Sequence, residues 1–263
     1  MRSPLLRWLI RLCGLPVLCT VVLLAPPPVH AASGQQLTLT IPILTYHYLE
    51  AVQDGKDKLR VKLSVSPDAF EEQLQALAEK KYRTIFVREI PAILNGSGAV
   101  SLKHIALTFD DGYEDFYIDA FPLLKKYNVK ATVYVVNDFI GKPDYLTEGE
   151  IRVLLSSGLV EIGCHTLHHA DLTKIPLDQA RSEIADAKRQ YEKKFARRMD
   201  TFAYPYGEFT RKIVALVKQA HFTAAVTTQK GFLQSSKNIF TLKRIPAGLF
   251  TGKRKWKTIG DTP

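Results

Sequence analysis

Three cysteines in 263 residues are too few for a disulfide-built scaffold, and two of them, Cys13 and Cys19, fall within residues 1–31. Only Cys164 lies beyond, so the rest of the chain can form no intramolecular disulfide and must be held by its core. Glycine and proline, at 15 and 14 residues, are too sparse for a collagen-like or low-complexity chain. A mean hydropathy of -0.06 excludes a polytopic membrane protein. The apolar run from Leu12 to Ala25 falls short of the ~20 residues that span a bilayer comfortably. What is present is ordinary for a globular domain: 46% hydrophobic and 24% charged residues, with a formal charge of +10. Such a chain can bury one large core.

Arg2, Arg7 and Arg11 precede the apolar run, Pro26-Pro27-Pro28 ends it, and Val29-His30-Ala31 offers a small-residue cleavage site. This pattern predicts a secretory signal peptide over residues 1–31 and export to the periplasm or cell surface. Extending the run back to Trp8 across Arg11 gives the alternative, an uncleaved anchor. Residues 1–31 hold three Arg and no acid, so without them the formal charge is +7. Export argues against nucleic acid as the partner. Lys253–Lys257 is read as a solvated tail, and the basic surface as solvated too; weak attraction to anionic wall polymers or lipid headgroups is the alternative. The chain is expected to act as a monomer.

Apolar, β-branched runs recur at Ile41–Tyr46, Thr84–Val87, His104–Asp110, Ala131–Val136, Val160–His165, Thr201–Tyr204, Thr223–Thr228 and Phe240–Ile245. Helical patterns lie between them, near Asp68–Lys80, Glu114–Lys126, Glu148–Ser156, Leu177–Phe195 and Thr210–Gln219. Ser66 and Pro67 make a cap and first position for the first of these helices. Alternation at this spacing predicts one parallel α/β domain over residues 32–263, and periodicity alone does not choose between a barrel and an open sheet.

Three strand ends carry chemistry. The apolar run ending at Phe109 meets Asp110-Asp111-Gly112, and adjacent carboxylates at a buried strand end are costly to desolvate unless they bind a cation or share a proton. The plainer alternative is that one of them caps the next helix. A second run ends in His165-Thr166-Leu167-His168-His169, where His165 and His169, four apart, share one side of a helical turn and suit one divalent metal. His168 lies off that face and is read as a solvated loop residue, and Cys164 as a small core residue. A third run leads into Tyr204-Pro205-Tyr206-Gly207, either a rigid loop with core aromatics or a sugar platform with exposed amides.

In this order the three segments resemble those of the polysaccharide deacetylases, carbohydrate esterase family four, which share the NodB homology domain. Thr108-Phe109-Asp110-Asp111-Gly112 matches the family's first motif and His165–His169 its second, while Phe202–Gly207 is similar to the third in the form FAYPYG. A finer resemblance is to the deacetylases of exported poly-β-1,6-N-acetylglucosamine. It rests on Pro42-Ile43-Leu44-Thr45-Tyr46-His47, on FAYPYG and on Leu242-Lys243-Arg244-Ile245. The resemblance implies a distorted, incomplete (β/α) barrel with its site at the C-terminal mouth of the strands. It implies that Asp111, His165 and His169 hold one divalent metal ion, zinc, that Asp110 is the general base, and that the Tyr206 N–H steadies the oxyanion.

The chain also departs from the family pattern. Ala203 stands where the third motif carries the arginine that orients the catalytic aspartate, and Leu242-Lys243-Arg244 lacks the fifth motif's acid histidine. The fourth motif, with its Asp and Trp, is missing around Ala224–Gly231. His47 is therefore expected as acid or substrate contact, and Arg244 as the replacement for the missing arginine, grouped with Tyr206 at the substrate. The implied reaction is metal-dependent removal of N-acetyl groups from an N-acetylglucosamine polysaccharide, releasing acetate. Peptidoglycan or chitin oligomers are alternative substrates, O-acetyl ester cleavage is an alternative activity, and a glycan-binding pseudoenzyme is the non-catalytic alternative.

Overall fold

The computed structural model describes residues 37–52, 55–96 and 103–250; the segment read as a signal peptide and the basic run at 253–257 lie outside them. Seven strands form the frame: β1 (Ile43–Tyr46), β2 (His104–Phe109), β3 (Ala131–Val135), β4 (Val160–Cys164), β5 (Thr201–Ala203), β6 (Ala224–Lys230) and β7 (Leu242–Pro246). They pair in parallel in the order β1-β7-β6-β5-β4-β3-β2, and β2 returns to β1, with Ile43 opposite Ala106 and Tyr46 opposite Phe109. The ring is closed: a (β/α) barrel one strand short of eight.

Every residue of β2, β3 and β4 is buried, which is why these strands read as continuous apolar runs rather than alternations. Alternation still decides which side each residue faces. Ile43, Ala106, Tyr134, Ala203, Ala224, Val226 and Leu242 form one cluster inside the ring. Leu44, Phe109, Val133, Ile162, Phe202 and Ala225 belong to a second, under the helices. A seven-stranded lumen has room for the Tyr134 ring only because β4 offers Gly163 beside it; a Cβ there would fall on that ring.

Five helices cover the outside: α1 (Pro67–Glu79), α2 (Phe121–Tyr127), α3 (Glu148–Ser156), α4 (Leu177–Phe195) and α5 (Arg211–Gln219). Ser66 caps α1 as expected, its hydroxyl accepting from the Ala69 N–H at 3.2 Å. Two elements differ from the sequence expectation. The predicted strand Thr84–Val87 shrinks to Arg83–Thr84, paired with the start of β2. The chain then turns into Val87–Glu89 and Ile90–Leu94, whose Val87, Ile90, Ile93 and Leu94 join the interior cluster and close that end of the barrel. The predicted helix from Glu114 begins as a wide π-type turn, Phe116–Ala120, before α2. The opposite end, where the strands finish, is left to the polar residues.

Candidate active site

Phe109, the last residue of β2, faces outward and stacks on Tyr46 at 4.6 Å, so alternation turns Asp110 into the mouth of the barrel. Arg244 of β7 meets it there. Its Nη1 and Nη2 donate to Asp110 Oδ1 and Oδ2, each at 2.7 Å, while Nε donates to the Thr227 carbonyl at 2.8 Å. Burial pushes the Asp110 carboxyl up, and the Arg244 charge more than cancels this, leaving it below the usual carboxylate range. Asp110 therefore caps no helix. The sequence places Arg244 both at the substrate and as the substitute for the arginine missing at Ala203. At 1% exposed, its fork is closed on Asp110 and holds both carboxylate oxygens at once. Thr108, whose hydroxyl accepts from Arg244 Nη1 at 3.2 Å, escaped the sequence reading, as a strand threonine carries no signal of such a role.

Asp111 points to the other partners. Its Oδ1 lies 3.4 Å from His165 Nε2 and 3.3 Å from His169 Nε2. One ligand atom from each of Asp111, His165 and His169 falls within 4.8 Å of the others. A carboxylate and two imidazoles gathered in this way are a donor set of the kind that holds a divalent cation. The Nδ1–H of His165 donates to the Ala203 carbonyl at 2.8 Å, which turns the Nε2 lone pair toward Asp111. Ala203, at the place of the missing arginine, thus serves through its backbone.

The two histidines do not share a helical turn. Residues 165–169 are a loop with positive φ at Thr166 (68°) and His169 (63°), and Asp111 (71°) is held likewise, so three of these side chains depend on backbone that ordinarily favours glycine. The loop is tied by Glu183 of α4, whose Oε2 accepts from the N–H groups of Leu167 and His168 at 3.1 and 2.9 Å. Glu183 was not singled out from sequence; nothing in an amphipathic helix marks one glutamate as a loop clamp. His168 stands apart from the cluster, its ring between Glu183 and Asp138. Cys164 faces the outer core.

His47 lies beyond the end of β1 with Nε2 4.0 Å from Asp110 Oδ2, and burial holds it below the ordinary histidine range. It opens onto a cleft of about 630 Å³ whose walls include Val61, Leu63, Val65, Pro246 and Leu249. Tyr206 packs its ring edge-on to His169 at 4.8 Å and is 60% exposed. Its φ is 61°, within the tight turns closed by the Gly207 and Glu208 N–H groups on the Tyr204 and Pro205 carbonyls. Gly207 cannot be replaced without conflict, because a Cβ would land on the Thr228 side chain. All seven expected side chains thus gather at one mouth, arranged as a clamped carboxylate beside a metal-type triad.

Comparison with known proteins agrees with this geometry. A polysaccharide deacetylase family model matches residues 97–225. YxkH of Bacillus subtilis, a protein named for that family, is 30% identical over 205 residues, covering 78% of this chain and 70% of its own length. The chain belongs to the polysaccharide deacetylase family. As a polysaccharide deacetylase it is a hydrolase acting on N-acetyl groups. The Streptococcus pyogenes deacetylase PplD, solved with acetate, superposes with a TM-score of 0.74 at 30% identity, covering 80% of this chain and 93% of that one. The poly-β-1,6-N-acetyl-D-glucosamine N-deacetylase of Staphylococcus aureus is 24% identical over 195 residues, 69% of this chain and 67% of its own length.

Proposed function

We propose that this deacetylase removes acetyl groups from poly-β-1,6-N-acetylglucosamine, using one zinc ion held by Asp111, His165 and His169. The observation that carries the reading is the convergence of that triad on one Asp111 oxygen beside an Arg244-clamped Asp110. The S. aureus relative supports the choice of polysaccharide. Export by a signal peptide at residues 1–31 would place the enzyme where such a polymer is handled.

A divalent cation bound there supplies Lewis acidity, lowering the pKa of a water and polarising the acetamide carbonyl. Asp110, held charged by Arg244, takes a proton from the attacking water as general base. The Tyr206 N–H steadies the negative charge that develops on the carbonyl oxygen. The proton that Asp110 takes up passes to the departing sugar amine by way of His47, whose Nε2 lies 4.0 Å from Asp110 Oδ2. Arg244 keeps both Asp110 oxygens in place throughout.

Acetate release from β-1,6-linked N-acetylglucosamine oligomers, with and without a chelator, tests this reading. Release that stops with chelator and returns with zinc supports it; silence on these oligomers with release from chitin or peptidoglycan oligomers would overturn the substrate. Asp110→Asn should abolish turnover, with a loss on the order of 10³-fold or more, and leave metal content intact, since Asp110 is not part of the triad. Loss of both would mean that base and ligand are misassigned.

A further inference from the structure

Among the described residues the His47 ring makes no hydrogen bond; its Nε2 stands 4.0 Å from Asp110 Oδ2. Asp110, by contrast, is gripped by Arg244, and His165 by the Ala203 carbonyl. The place of the His47 ring therefore depends on the backbone that carries it. That backbone has just left the sheet. The pairing of β1 with β2 ends at Tyr46 opposite Phe109, and the Asp110 N–H donates to the Tyr46 carbonyl at 3.0 Å as the last rung. Beyond it no ladder spaces the His47 segment from the Asp111 segment.

Two cross-links take the ladder's place. The Leu49 N–H donates to Asp115 Oδ2 at 2.8 Å. Tyr48 stacks on Tyr113 at 4.1 Å, and its hydroxyl donates to that of Tyr113 at 2.7 Å. Each joins a residue just after His47 to one just after Asp111. Both anchors are themselves fixed. Phe116, next to Asp115, packs edge-on against Phe109 at 4.7 Å. Tyr145 backs Tyr113 at 5.1 Å, and the Glu114 and Leu146 N–H groups donate to the Asp144 and Gly112 carbonyls at 2.9 Å. Arg60 sits over Tyr48, 4.4 Å from its ring centre, so these rings fasten the two segments and offer no open face to a ligand.

Asp115 is not placed for its own comfort. Its Oδ1 is buried with no hydrogen-bond partner, and burial pushes its pKa from 3.8 up to about 6. A half-satisfied carboxylate beside a reaction centre costs stability, and the Leu49 N–H that it receives is what it does there.

We propose that Asp115, with Tyr113, is a positioning residue that holds the His47 ring against Asp110 for proton delivery to the sugar amine. Asp115 acts through the backbone of Tyr48 and Leu49 and touches no substrate. The proposal rests on the reading of His47 as the path of that proton.

The test compares two substrates on the full chain with zinc added: a β-1,6-linked N-acetylglucosamine oligomer, and 4-nitrophenyl acetate, whose phenolate leaves without a proton. Asp115→Ala should cut kcat on the oligomer by roughly 10–100-fold with KM near that of the wild type, and change the aryl ester little. Asp115→Asn, whose amide oxygen can still accept from the Leu49 N–H, should keep most of the turnover. In a His47→Ala background Asp115→Ala should cost nothing further. Equal losses on both substrates, or losses that add in the double variant, would show a brace for the fold alone and overturn the proposal. The titration of the His47 ring, followed by NMR and identified by its absence in His47→Ala, is a readout independent of turnover. Burial holds it below the ordinary histidine range, and it should rise toward that range in Asp115→Ala but not in Asp115→Asn. An unmoved titration overturns the proposal. A moved titration, with His47→Ala as active as the wild type, would sink the proton-path reading and leave the positioning standing.

Discussion

Asp110 is 4% exposed, and a carboxylate so placed stays charged only if a partner replaces the water it has lost. Arg244 is that partner through a bidentate pair, so removing it leaves an uncompensated buried charge. Arg244→Met should lower the melting temperature, with a loss on the order of 3–5 kcal/mol, and cut kcat while metal content stays near that of the wild type. Arg244→Lys should recover part of the stability and less of the turnover, because an ammonium supplies charge without the fork that fixes both oxygens. Thermal melts, metal analysis and kcat on one preparation check all three; a Met variant with normal kcat would remove the orienting role. At this scale the sequence was legible where chemistry repeats a motif. Asp110, Asp111, His165 and His169 could be named from residue type and order, and Arg244 only from what Ala203 lacks. Thr108 and the Ala203 carbonyl could not, since their contribution is where they end up, opposite Arg244 and His165.

At the scale of elements, the strands were readable because a closed parallel barrel buries both faces of each, and the helices because Ser66 and Pro67 mark a start. What escaped was backbone that no residue type announces. The i, i+4 spacing of His165 and His169 suggested a helical turn, whereas positive φ at Thr166 and His169 makes a loop of it. Such a loop needs an external tie, and Glu183 of α4 provides it by accepting from two of its N–H groups. Glu183→Ala should therefore weaken metal binding by roughly 10–100-fold without unfolding the protein, with Glu183→Gln milder because its amide oxygen can still accept. Competition against a chromophoric chelator measures this. An unchanged affinity would show that the loop holds its shape without α4.

The barrel as a whole divides its polar residues between two ends, and the end away from the mouth holds one that the chemistry does not use. Glu161 of β4 is 4% exposed, accepts from the Thr201 hydroxyl at 2.8 Å and pairs with Arg88 at 3.0 Å. Burial pushes its pKa from 4.5 up to about 7, and the half-exposed Arg88 offsets only part of that. A raised carboxyl pKa means that the folded chain keeps a proton which the unfolded chain gives up above pH ~4.5. Stability from this group is thus complete below the unfolded value and is lost as pH rises through about 7. Glu161→Gln removes the titration while keeping an acceptor for Thr201 and Arg88. The melting temperature of the variant minus that of the wild type should accordingly grow between pH 5 and pH 8, by roughly 6–12 °C for a linkage on the order of 3 kcal/mol. Every other titrating group, including the carboxylates and histidines at the mouth, is common to both proteins and cancels in the difference. A difference that stays flat with pH would mean that Arg88 keeps Glu161 charged throughout, and that the closed end of the barrel is more open to water than its burial implies.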